Sequence, residues 1–131
     1  MKKVTLMLVA VLISVTTFSQ TFYKVSQCGY SVYEYNEWKK QETNYPQKMF
    51  VIMNNSNIKI TNEGESNFIL YGEMKTSTYS THTAYTWDAY DKDGTQCKII
   101  FKINKEESNG ICYFSVLYGL TCFDYTLKIQ N

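Results

Sequence analysis

The sequence predicts a small all-β domain: an antiparallel meander of eight to nine strands, closed or nearly closed into a barrel, with a two-sheet sandwich as the alternative. Three observations predict it. Apolar and polar residues alternate with period two from Phe22 onward, the spacing of strands that bury one face. Turn chemistry recurs at short intervals, at Asn54-Asn55-Ser56, Asn62-Glu63-Gly64, Asp93-Gly94 and Asn109-Gly110, so consecutive strands are joined locally. The chain has one proline and is 16% aromatic, a composition that suits strands, which favour aromatic residues and exclude proline from their interiors. A meander hides its edges best by closing on itself.

The 131-residue chain has room for one domain. It opens with Lys2 and Lys3, an apolar run over 4–15, and Thr16-Thr17-Phe18-Ser19. A basic start, a short apolar stretch and small residues before a cut make 1–19 a secretory signal peptide, with Gln20 as the new N-terminus. The apolar run is short for a membrane span, which needs about 20 residues. Residues 20–131 then form a single exported β domain, periplasmic or secreted, with no membrane span in the mature chain. It can bury a real but modest core. Loss of Lys2 and Lys3 from the 13 basic residues leaves them just outnumbered by the 12 acidic ones. The chain has no arginine, the side chain best shaped for bidentate phosphate recognition. With no basic run either, nucleic acid is not an expected partner.

Strands are expected at 22–25, 30–35, 48–53, 58–61, 67–73, 82–91, 95–104, 111–118 and 125–130. Segment 34–46 is expected as a long loop or short helix, because Tyr35, Trp38 and Glu42 fall near helical spacing and Pro46 would end a helix. The C-terminal half also carries its own register. Cys97, Ile99, Phe101 and Ile103 share one face of a strand, and Cys112, Phe114, Val116 and Tyr118 one face of the next. A turn at Asn109-Gly110 sets Ile103 against Cys112, Phe101 against Phe114, Ile99 against Val116 and Cys97 against Tyr118. A three-residue loop, Lys92-Asp93-Gly94, sets Ala89 against Cys97, Trp87 against Ile99 and Tyr85 against Phe101. A two-residue loop would turn Trp87 outward. Every inward residue then agrees, as a register requires, and Trp87, Tyr85, Ile99, Phe101, Phe114 and Val116 are the expected core.

Few residues carry chemistry. The single histidine, His82, has no second His to share a metal and faces away from Tyr85 and Trp87. Asp88, Asp91, Asp93 and Gly94 imitate a calcium loop, but Ala89 and Ile100 stand where oxygen ligands are needed. Glu106 and Glu107 are neighbours at a hairpin tip and cannot face each other across a cleft. No phosphate loop or nucleophile elbow is present. No metal, cofactor or catalytic residue is therefore expected.

Cysteine is the informative type. Cys28, Cys97, Cys112 and Cys122 make an even set in an exported domain, which points to disulfides. Cys97 and Cys112 sit at opposite ends of their hairpin. Cys122, just after Tyr118, is placed in a loop, so Cys97–Cys122 is the expected bridge, with Cys28–Cys112 as the second.

Phe18-Ser19-Gln20 at the cut, Trp38, Ile58-Lys59-Ile60, the stretch Asp91-Lys92-Asp93-Gly94-Thr95-Gln96-Cys97-Lys98-Ile99 and the Tyr-rich terminal hairpin together resemble small exported β-proteins of the Bacteroidota. That resemblance implies no catalytic residues. The expected role is non-catalytic binding of a small apolar or glycan ligand, with Tyr71, Tyr85, Trp87 and Tyr118 as the lining if the barrel is open. The alternative is a structural or interaction protein of the envelope that meets a protein partner through exposed loops at 34–46 and 75–81.

Overall fold

The computed structural model describes residues 20–54, 56–62, 64–106 and 110–130. The expected signal peptide, and Asn55, Glu63, Glu107 and Asn109 of the expected turns, lie outside these described residues. Nine strands follow in order: β1 (Thr21–Glu34), β2 (Glu37–Asn44), β3 (Phe50–Met53), β4 (Asn57–Thr61), β5 (Glu65–Thr78), β6 (His82–Asp91), β7 (Gln96–Asn104), β8 (Ile111–Tyr118) and β9 (Thr121–Ile129). Every pairing is antiparallel, and β1 meets β9 to close the sheet. The result is an eight-stranded barrel of β1 and β3 to β9, with β2 as an added strand on the second half of β1. The closed meander holds and the sandwich does not.

The register of the C-terminal half follows the alternation. Ala89, Trp87 and Tyr85 oppose Cys97, Ile99 and Phe101, while Ile99 and Phe101 oppose Val116 and Phe114. Gly94 takes φ +82°, the left-handed position of the three-residue loop. All six expected core residues are buried. They share one buried cluster with Tyr23 of β1, Met53 of β3 and Leu127 of β9, each at most 1% exposed. Side chains thus fill this interior.

Four expectations change. Segment 34–46 is neither loop nor helix: Tyr35 and Asn36, with φ of 53° and 64°, make a two-residue turn that needs positive φ at both positions, and β2 follows. Its sequence lacks strand alternation because both of its faces stay largely exposed. Segment 75–81 is mostly strand, since β5 runs to Thr78. The expected strands at 22–25 and 30–35 are one strand, β1, bent by a register shift between Val25 and Gln27. Ser26 is the extra residue there, and such a bulge bends the strand and resets which side chains point inward. Finally, β9 begins at Thr121 rather than Tyr125, directly after the Gly119-Leu120 turn.

Candidate functional site

The four expected lining residues do not form one mouth. Tyr85 and Trp87 are buried in the filled interior. Leu70 opposes Ala89 on the inner face, so Tyr71 points out of the wall, where its ring stacks on Tyr90 at 4.6 Å. Tyr118 faces inward at one end of the barrel and donates its hydroxyl to Asp91 Oδ2 at 2.9 Å. Asp91 Oδ1 accepts the backbone N–H groups of Asp93 and Thr95, both at 2.9 Å. The Thr95 N–H, with help from the Tyr118 hydroxyl, the Asp93 N–H and Lys92, outweighs partial desolvation and holds the Asp91 carboxyl below its usual range. This carboxylate ties the β6–β7 hairpin to β8, and that explains Asp91 without a cation. Among the described residues no cluster of three or more His, Cys, Asp and Glu side chains could hold a metal. His82 stacks on Tyr79 at 4.6 Å and its Nδ1 lies 3.0 Å from Thr81 Oγ1.

All four cysteines are free thiols, so the expected bridges are corrected. Cys122 lies in a strand, not a loop. Its cross-strand neighbours are Ser31 and Leu117, on the outer face, whereas Cys97 faces inward beside Ala89. The barrel wall separates them. Cys28 opposes Tyr125, and Cys112 opposes Leu127 two residues further along β9. With a whole strand between them, they are farther apart than the roughly 7 Å a disulfide tolerates between Cα atoms.

A concavity does exist, on the outside of the closure seam. A groove of about 420 Å³ crosses β7, β8, β9, β1 and β2. Gly29, Ser115, Asp124 and Thr126 line it, with Ile100 on the same cross-strand row as Ser115 and Asp124. Tyr113, Lys102, Gln27 and Lys40 line it as well. Local sequence explains this shape. Between Tyr30 and Ser31 the β1–β2 register shifts, and the extra β2 residue folds the chain over Gly29. A Cβ on Gly29 would run into the Glu42 carbonyl and its neighbours, so only glycine permits the approach. Ser31, on the same outer face, is 8% exposed. Further along that face, Tyr33 and Trp38 meet edge to face at 5.3 Å.

Polar groups in the groove are ordered. Ser115 Oγ donates to Asp124 Oδ1 at 2.8 Å, and Cys122 Sγ reaches the same oxygen at 3.5 Å. The Lys102 ammonium sits 6.0 Å from the Tyr113 ring centroid. Burial first, and then the Asp124 charge, push the Cys122 thiol up to about 11. It is therefore protonated at neutral pH and a poor nucleophile. The lone histidine, His82, opens β6 and stacks on Tyr79, so neither Ser115 nor Cys122 has an imidazole base. The arrangement can orient a polar ligand with donors, acceptors and one aromatic face.

No family model, curated protein or solved structure matches this chain. Sequence reasoning missed this site because five strands contribute one to three residues each, and none of those residues stands out locally. One signal was present: Gly29 breaks the alternation of β1, and an isolated glycine in a strand marks a bulge or a close approach.

Proposed function

We propose that this protein is an exported, non-catalytic carbohydrate-binding domain that holds an oligosaccharide in the outer groove of its barrel wall. The observation that carries this reading is the open groove of about 420 Å³ whose lining includes the hydrogen-bonding groups of Ser115, Asp124 and Thr126 and the ring of Tyr113. Sugars present hydroxyls that need both donors and acceptors, and C–H faces that pack on aromatic rings; such amphipathic rings suit a site that is apolar on one side and wet on the other. An apolar ligand inside the barrel has less support, because Tyr85, Trp87, Phe101 and Phe114 occupy that space.

Glycan-array screening followed by calorimetry tests the proposal. Tyr113→Ala is expected to weaken binding about tenfold, the loss of one aromatic contact, whereas Tyr71→Ala on the opposite wall leaves it unchanged. Failure to bind any glycan, or equal binding by both variants, would overturn the reading.

The second reading, an interaction protein, rests on one observation. Tyr35 is 82% exposed and sits at φ 53°, a conformation uncommon for a bulky residue. With Trp38 and Leu120 also exposed, the β1–β2 tip offers an aromatic contact for a protein partner. Binding of a partner that Tyr35→Asn abolishes, with glycan affinity intact, would favour it.

A further inference from the structure

The groove continues along the closure seam, and its continuation carries a like-charge cross-strand pair. Lys24 of β1 and Lys128 of β9 are directly opposed, and like charges opposite each other destabilise an antiparallel pair. Neither forms an ion pair among the described residues, whereas Lys98 and Lys59 have Asp88 and Glu65. Both lysines line a second concavity of about 480 Å³ with Ser26, Pro46, Gln47 and Gln130. It adjoins the first: Ser26 precedes Gln27 along β1, and Lys128 and Thr126 share the outer face of β9. Lys102 and Lys40, which line the first groove, also lack ion pairs among the described residues. Among the described residues Asp124 is the one carboxylate that lines either concavity, and Ser115 and Cys122 already bond it.

From these placements we infer that the two concavities form one track, and that its ligand is an acidic oligosaccharide bearing carboxylates on successive sugars, as a polyuronate does. This rests on the carbohydrate reading above and adds the ligand's charge and length. The Lys24–Lys128 pair weakens the empty barrel and gains a partner only when an anion lies over it. Lys102 is on the row of Thr126, through Tyr113, and Lys40 on the row of Cys122, through Ser31. The cationic positions are therefore staggered from Lys128 to Cys122, a run of about 20 Å at the rise of a strand. That length accommodates several sugars rather than one. Lysine acts as a point charge, which suits carboxylates spaced along a flexible chain, and Tyr113 and the Tyr33–Trp38 pair offer ring faces beside it.

Three probes separate the outcomes: an oligogalacturonate, the same oligomer fully methyl-esterified, and an oligothymidylate. The oligogalacturonate is expected to bind, and more weakly as salt rises. Methyl esterification, which keeps the sugars and removes the charge, should weaken it about tenfold or more. Lys24→Gln and Lys128→Gln should each lower affinity for the acid form only. In the ligand-free protein at low salt, either substitution should raise the melting temperature, which also shows that the variants fold. Equal binding of acid and ester would overturn the charge inference and leave the carbohydrate reading standing. Binding of neither sugar would overturn both. Equal binding of oligothymidylate would show a general polyanion surface and overturn the uronate assignment.

Discussion

Gly29, Gly94, Tyr23 and Asp91 show how much single residues decide. Gly29 lies under the Glu42 carbonyl, so Gly29→Ala must push β2 away from β1. A loss of roughly 1–3 kcal/mol, the usual cost of overpacking, is expected in urea unfolding. Gly94 meets no such neighbour, but its φ of +82° disfavours any β-branched replacement. Gly94→Val should cost about 1–3 kcal/mol in the same assay; an unchanged midpoint would contradict the three-residue loop. Tyr23 behaves in the opposite way. Its ring packs 5.4 Å from Phe101, but its buried hydroxyl has no hydrogen-bond partner among the described residues. Burial, and secondarily Cys112, raises its pKa well above the ordinary value. Tyr23→Phe keeps the ring and removes an orphaned polar group, so it should stabilise the protein by about 1 kcal/mol. Asp91 gives a pH signature. Its folded pKa is depressed, chiefly by the Thr95 N–H, so it favours the fold above the unfolded carboxylate value, near about 4, and that contribution is lost as pH falls through the folded value. Melts of the native protein and Asp91→Ala should therefore differ at pH 7 and converge towards pH 2.

At the scale of elements, legibility tracked amphipathicity. The bounds of β6 and β8 match the alternation read from sequence, because each buries every second residue against the core. The second half of β5 was missed because Thr76 and Thr78, like their neighbours, are exposed. β2 was missed more completely: Glu37-Trp38-Lys39-Lys40-Gln41-Glu42-Thr43-Asn44 is held mainly by its backbone ladder to β1, which leaves no side-chain period. The same fact predicts its dynamics. A strand with one neighbour and exposed faces opens locally more easily than one locked in a barrel. Hydrogen exchange followed by mass spectrometry should find β2 exchanging faster than β7 and β8, and equal protection would mean that another surface covers it.

At the scale of the whole molecule, closure through β1–β9 decides the chemistry of the thiols and the place of the groove. Burial, and then neighbouring charge, raises the Cys28, Cys97 and Cys122 pKa values. Native protein at pH 7 should therefore react slowly with iodoacetamide, and unfolded protein should be labelled at all four cysteines. A Cys97–Cys122 bridge in non-reducing peptide maps would require β9 to be shifted by one residue. The interior should also melt as one unit: Phe114→Ala, at the centre of the β7–β8–β9 contacts, should cost about 3–5 kcal/mol in a single cooperative transition.

The sequence alone determined the all-β class, the meander, the core of Tyr85, Trp87, Ile99, Phe101, Phe114 and Val116, and the Gly94 loop. These are local matters, set by period-two alternation and by the backbone conformations that turn residues permit. Only the tertiary structure decided which face Cys122 takes, that β2 is a strand, and that Lys24, Lys128, Lys102 and Lys40 lie along one seam. Bulges at Ser26 and in β2 reset side-chain parity, and one inserted residue exchanges inside for outside for everything that follows. Gly29 apart, such a shift leaves no trace in the sequence, and the outer groove takes shape only when the ends of the sheet meet.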